Sequence, residues 1–407
     1  MRVPSIRPVK APSLCLCTGR WRSAWLACLL GSLLLGMAPA EADTLLVQPD
    51  GLGPYATLQD AVDAAMDGDQ ILLASGLYLG PGNRNVDISG LAVTIRSASG
   101  MAADCVIDCA GSAVDPARAF HCAGGAGTAL TLRDLTLRGG YVPHESAWLQ
   151  GAGGALLIDE ARVSIEGCHF TENEAATGGA VHLNAGAELE LLDCRFAING
   201  AELEGGALAC WQNSRATIAA TTFSQNVAGF RGGAIACNDE SEVSLAAVLA
   251  VGNGAQSGGA LYACGHSGVA LTGCTLLDNA GALGACVHGS CYAQILIDTS
   301  ILAFSASGWA VQCVLDAEVN VSCSDIYGNP EGDWTGCVAE HAGIAGNLCA
   351  DPLFCDRPAG DFTLDGDSPC GPTANPTCGL IGAFGVGCGA SPAEATSWGR
   401  VKWEFFR

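Results

Sequence analysis

A Gly-Gly-Ala triplet begins at Gly153, Gly178, Gly205, Gly232 and Gly258, in steps of 25, 27, 27 and 26 residues. An asparagine keeps pace with it at Asn173, Asn199, Asn226, Asn253 and Asn279. A unit this short cannot bury a hydrophobic face alone, so such units must stack on one another. Between triplet and asparagine runs the pattern apolar-x-apolar-x-x-small-x-apolar-x-x-Asn. Val163, Ile165, Cys168, Phe170 and Asn173 carry it first, and Leu189, Leu191, Cys194, Phe196 and Asn199 repeat it. Ala216, Ile218, Thr221, Phe223, Asn226 follow, then Val243, Leu245, Val248, Ala250, Asn253, then Val269, Leu271, Cys274, Leu276, Asn279. Fainter copies lie upstream at Leu130, Leu132, Leu135, Leu137, Gly140. Downstream copies are Ile295, Ile297, Ser300, Leu302, Ser305 and Val319, Val321, Ser324, Ile326, Asn329. Eight units are therefore in register.

Alternation at period two marks strands, and neither a leucine-rich consensus nor a 3.6-residue stripe is present. The expected fold is all-β, a single right-handed parallel β-helix with rungs about 4.8 Å apart. The five asparagines should form a ladder, each amide donating to one neighbour and accepting from the other. A buried asparagine without that partner would cost about 1–3 kcal/mol. The glycine pair should supply a sharp turn at positive φ. The apolar residues Leu156, Val181, Leu208, Ile235 and Leu261, two positions beyond each pair, should begin a second inward-facing strand.

Residues 57–65 form the best helix candidate, with Leu58, Val62, Ala65 and Ala61 on one side, and should cover the open N-terminal end of the solenoid. Early strands are expected near 71–73, 86–88 and 93–95. Residues 141–150 read as an insertion, because the step there is 33 residues, and as a candidate binding loop.

The first forty residues read as a secretory leader. Arg2, Arg7, Lys10, Arg20 and Arg22 precede an apolar run, and Ala38-Pro39-Ala40 offers a small-residue exit. The run is shorter than the ~20 residues that span a bilayer, and no later stretch reaches that length. Cleavage after Ala40 removes five of 18 basic residues and leaves 13 against 41 acidic ones, a net of −28. Such a charge disfavours nucleic acid and anionic lipid and favours solubility, basic partners or weak cation binding. Three of 22 cysteines leave with the leader. The remaining 19 imply an oxidising destination, with at least one thiol outside any intramolecular pair. The expected organisation is a leader over 1–40, a cap and first coils over 41–129, and regular coils over 130–329. A Cys/Pro-rich end follows over 330–390, holding most of eight cysteines between Cys313 and Cys388 whose pairing the sequence leaves open, and then a tail over 391–407. That tail, with Trp398, Trp403 and Phe405 near Arg407, reads as a disordered end or a sorting signal.

The Gly-Gly-Ala and Phe-x-x-Asn signals resemble the repeats of chlamydial-type polymorphic outer-membrane proteins. The chain from about 44 to 388, with its opening Pro49-Asp50-Gly51-Leu52-Gly53, is similar to bacterial secreted β-helix proteins of the pectate-lyase-like fold. That resemblance implies adhesins, surface proteins or carbohydrate-active enzymes. Unlike the autotransporters of the group, this chain carries no length for a C-terminal membrane barrel.

A lyase or hydrolase on such a fold needs carboxylates, or a base beside carboxylates, on outward positions of adjacent coils. The outward set Ser164, Glu190, Thr217, Ser244, Ala270, Leu296 is mixed. In the next set His169 stands beside Arg195, which ordinarily means two solvated side chains on neighbouring rungs. Asp193 and Asp298 are isolated. Catalytic, cofactor-binding and metal residues are accordingly read as none. Cys105/Cys109 and Cys286/Cys291 lack zinc spacing and are read as disulfide cysteines. Cys168, Cys194 and Cys274 are read as inward fillers, as are Cys210 and Cys237, with a Cys210–Cys237 disulfide open to adjacent rungs. Calcium at Asp239-Glu240-Ser241-Glu242 or Asp365-Gly366-Asp367 is a weaker reading than solvated acidic turns. The leading expectation is an exported, non-enzymatic surface or extracellular protein in adhesion or glycan contact. The alternatives are a polysaccharide lyase or glycoside hydrolase, and a structural envelope component.

Overall fold

A computed structural model describes residues 42–125, 127–144 and 151–388. The leader, residues 145–150 of the insertion and the tail over 391–407 lie outside the described residues. The chain winds through three parallel sheets in turn. The first has eleven strands, from Thr44–Val47 to Glu318–Ser322. The second has ten, from Gly76–Tyr78 to Asp325–Tyr327, and the third nine, from Val86–Asp87 to Val311–Cys313.

The register is the one the repeat dictates. Val163 pairs with Leu189, Leu189 with Ala216, Ala216 with Val243 and Val243 with Val269. Phe170, Phe196 and Phe223 stack rung on rung, with ring centroids 4.6 and 4.9 Å apart. All three rings are fully buried in one continuous apolar core. Like residues thus bury like residues along a single axis.

The asparagine column is continuous. Asn173 donates through Nδ2 to Asn199 Oδ1 at 3.0 Å, Asn199 to Asn226 at 2.9 Å, Asn226 to Asn253 at 3.0 Å and Asn253 to Asn279 at 3.0 Å. The second Nδ2 proton goes to a backbone carbonyl, as from Asn226 to Phe196 O at 3.1 Å. Every amide in the column is buried and satisfied. Smaller ladders run beside it: Cys194 N donates to Thr221 Oγ1 at 3.3 Å, and Cys274 N to Ser300 Oγ at 3.0 Å.

The repeated apolar pattern is two strands, not one. It breaks at a single left-handed residue, Gly167, Asp193, Ala220, Ala247 or Gly273, with φ between 47° and 65° along this column when Thr299 is included. Strand Arg162–Glu166 therefore belongs to the first sheet and His169–Thr171 to the second. The glycine pair divides its labour. Gly205 sits at φ +67°, whereas a Cβ on Gly206 would lie 2.1 Å from Gly233 O of the next coil.

The helix spans Leu58–Ala64, with Thr57 as N-cap in a capping box with Asp60. Leu58, Ala61 and Val62 are buried, and the helix packs on the terminal strands of the first and third sheets. Gln59 Oε1 accepts from Asp87 N at 2.9 Å, satisfying an edge donor that has no strand beyond it.

The C-terminal segment does more than end the solenoid. The 3₁₀ turn Gly336–His341 packs on the last coil and buries Val338 in the main core. The chain then folds back over the outer face of the second sheet. Leu364, Cys370 and Ile381 join Leu277, Ile301 and Ala303 in a separate apolar cluster. Ala383 N donates to Thr275 Oγ1 at 2.9 Å, and Arg357 pairs with Asp278 at 3.2 Å. Disulfides Cys313–Cys337, Cys323–Cys378 and Cys355–Cys388 hold it.

Among the described residues the other thirteen cysteines are free, which corrects two expectations. Cys210 and Cys237 are register partners, but parallel rungs keep their Cβ atoms about 4.8 Å apart, beyond disulfide reach. Cys105 and Cys109 are four residues apart along one extended stretch, roughly 13 Å, and both point into the core. Cys286 is buried in the core, whereas Cys291 sits on a corner turn nearer the surface.

Candidate functional site

The sequence singled out His169 beside Arg195, and the structure makes them register partners on the outer face of the second sheet. Burial and then the Arg195 charge hold the His169 imidazole below its ordinary value. Their column continues through Thr222 and Leu249, and the folded-back segment covers it from Thr275 onward. Asp193 and Asp298 do not join them: Asp193 is the exposed corner residue, and Asp298 accepts from Ser322 Oγ at 2.6 Å.

The first sheet has the most strands of the three, and its outer face carries charged and polar side chains. Charge alternates along one edge, where Arg162 Nε meets Glu188 Oε2 at 2.7 Å and Arg215 Nη2 meets Glu242 Oε2 at 2.7 Å. Farther along, a shallow groove of about 340 Å³ is lined by Glu242, Ser244, Ala270, Gln294, Leu296 and Asn320 among others. Ser244, Ala270, Leu296 and Asn320 are successive register partners, so the groove runs across rungs at constant spacing. A second groove of about 330 Å³ lies over a small four-stranded sheet and includes Tyr141 and Pro143 at the start of the insertion.

One constellation escaped sequence reasoning. On the outer side of the third sheet His121 Nε2 lies 3.3 Å from Asp159 Oδ2. Burial raises the Asp159 carboxyl, but hydrogen bonds from His121 and Asn184 outweigh it and hold it below the ordinary carboxylate value. Arg118 is almost wholly buried nearby; burial lowers its guanidinium to about 10, against the opposing pull of Asp159. His182, one coil on, is pushed down to about 4 by burial, so its imidazole is neutral at pH 7. His182 Nδ1 contacts Thr177 Oγ1 at 3.2 Å, and Trp211 meets the ring edge-on at 5.3 Å. A held carboxylate, a buried guanidinium and two imidazoles can orient a hydroxyl or move a proton. Only its histidines left a signal: His121, Leu157, His182, Ala209, Ala236, Tyr262 and His288 occupy one register position on successive coils.

Among the described residues, no three His, Cys, Asp or Glu side chains are placed to hold a metal ion. Among them, too, no helix is long and apolar enough to cross a membrane.

A sequence family described as a right handed beta helix region matches residues 119–301. No curated protein matches. Among solved structures, a pectin methylesterase from carrot aligns over 78% of this chain and 90% of its own, at 14% identity and a TM-score of 0.35.

Proposed function

We propose that this right-handed β-helix is an exported protein that binds an extended glycan at a surface, without turning it over. The observation that carries the reading is the groove across the first sheet. There Ser244, Gln294 and Asn320 present hydrogen-bonding groups beside the half-exposed Leu296, on strands fixed in register. A rigid row of side chains at constant spacing, polar at Ser244 and Asn320 with the apolar Ala270 and Leu296 between them, suits the mixed polar and apolar face of an extended sugar polymer, and rigid elements position such groups without an ordering cost. Export is supported by the leader ending near Ala40 and by the disulfides of the C-terminal segment. The destination proposed is the cell surface or extracellular space, and no cofactor is required.

The test is retention on immobilised acidic and neutral polysaccharides, with and without calcium, alongside assays for new reducing ends, unsaturated products and released methanol. Retention that Asn320→Ala and Gln294→Ala weaken, without product, is the expected result. Failure to bind any polysaccharide would leave the structural envelope reading in its place.

A carbohydrate-active enzyme is the second reading, and the Asp159–His121–Arg118 group is what favours it. Product that disappears in Asp159→Asn, with the fold intact, would move the account to that reading.

A further inference from the structure

Cys264 and Cys291 occupy successive coils at the corner that follows the third sheet. Strands Leu261–Ala263 and Val287–Gly289 are paired in register, which sets Cys264 opposite Ser290 and Cys291 one residue farther on. The corner keeps the same spacing: His266 N donates to Cys291 O at 3.0 Å, and the His266 and Tyr292 rings stack at 4.9 Å. Both thiols are free and only partly buried, unlike the core cysteines of the repeats. The diagonal offset places their Cα atoms roughly 6 Å apart, inside disulfide range, where a directly opposed pair such as Cys210 and Cys237 is held too far at Cβ. Cys291 lies in the left-handed region at φ 49°, on the turn that carries its side chain toward the Cys264 coil.

We propose that Cys264 and Cys291 form an oxidation site at which a small-molecule or protein disulfide closes a bond between two successive coils. Cys291 is the attacking thiol. Hydrogen bonds from Ser290 and Cys264, and the nearby Arg231 charge, lower it, and Ser290 Oγ stands 3.4 Å from its sulfur. Cys264 is the resolving thiol, raised by burial. The Cys291 thiolate, its proton lost to water, displaces one thiolate from the incoming disulfide and forms a mixed disulfide. Cys264 gives up its proton and attacks the Cys291 sulfur, expelling the second thiolate. Two protein thiols are oxidised by two electrons, and one disulfide is reduced to two thiols. Exposed Cys349 makes an internal control, because burial and Asp333 raise its thiol.

The experiment takes the full chain with its three C-terminal disulfides intact. Iodoacetamide at neutral pH should label Cys291 about tenfold faster than Cys349. Incubation with glutathione disulfide, then alkylation, cleavage at acidic residues and mass mapping, should yield a Cys264–Cys291 cross-linked peptide. In Cys264→Ser, Cys291 should retain one glutathione; in Cys291→Ser, Cys264 should stay reduced. Equal labelling of Cys291 and Cys349, or a stable glutathione adduct on wild-type Cys291 without the cross-link, would overturn the proposal. Neither outcome bears on glycan binding, which is read from a different face.

Discussion

Asn199 donates both its backbone N–H and its Nδ2–H to one oxygen, Oδ1 of Asn226, at 3.0 and 2.9 Å. The next coil repeats the arrangement from Asn226 to Asn253. One side chain thus closes a turn in its neighbour's backbone as well as its own link in the ladder. Asn226→Ala removes the acceptor of Asn199 N and Asn199 Nδ2 in a buried column, and should lower unfolding free energy by about 3 kcal/mol in denaturant melts. Thr217→Ala, on an exposed strand position, should stay within about 0.5 kcal/mol.

Two glycines of the array separate close approach from backbone conformation. At Gly206 a Cβ would meet Gly233 O at 2.1 Å and the backbone of Val227 at 2.7 Å, and neither can move without shifting a coil. Gly206→Ala should cost at least about 3 kcal/mol or abolish soluble expression. Gly252 has φ +66° but nothing closer than Gln225 Cγ at 3.7 Å, so Gly252→Ala should cost only about 1 kcal/mol. Thermal melts of the two variants side by side check the contrast.

Gly206 and the asparagines were legible in the sequence because the regular coils repeat the same residue at the same place, whereas Gly252 stands where other coils carry Glu172, Ile198, Gln225 or Asp278. The corner between the first and second sheets was not legible. Gly167, Asp193, Ala220 and Ala247 share a left-handed conformation but no side-chain chemistry, so nothing marked the break. The fold-back of the C-terminal segment onto Ile301 and Thr275 has no period to read, and its cysteine pairing needs coordinates. The Arg118–Asp159–His121 group assembles from non-equivalent positions on neighbouring coils, where repeat alignment is silent, although His182 and His288 share a register position that alignment does reveal.

Asp325 joins the last coil to the folded-back segment. Its Oδ1 accepts from Ala350 N at 3.1 Å, and Cys370 Sγ lies 3.4 Å from Oδ2. Burial pushes its carboxyl up to about 7. The unfolded chain releases this proton near pH 4, so between about 4 and about 7 the native state holds a proton that the unfolded state does not. Stability should therefore fall as pH rises through that window, by on the order of a few kcal/mol, and level off above it. Asp325→Asn should remove that part of the slope, measured as the melting temperature across pH 4 to 8.

The Cys323–Cys378 disulfide closes a loop of 55 residues and ties the folded-back segment to the last coil. The double variant Cys323→Ser/Cys378→Ser should lose about 4 kcal/mol. Limited proteolysis should then cut first beyond residue 330 and spare the coils before it.

Protection of side-chain amides tests the stacked-coil account most directly. With asparagine selectively labelled with nitrogen-15, the Nδ2 protons of Asn173, Asn199, Asn226 and Asn253 should survive in deuterated solvent long after those of exposed Asn213 have exchanged. Exchange of all of them at the rate of Asn213 would contradict it.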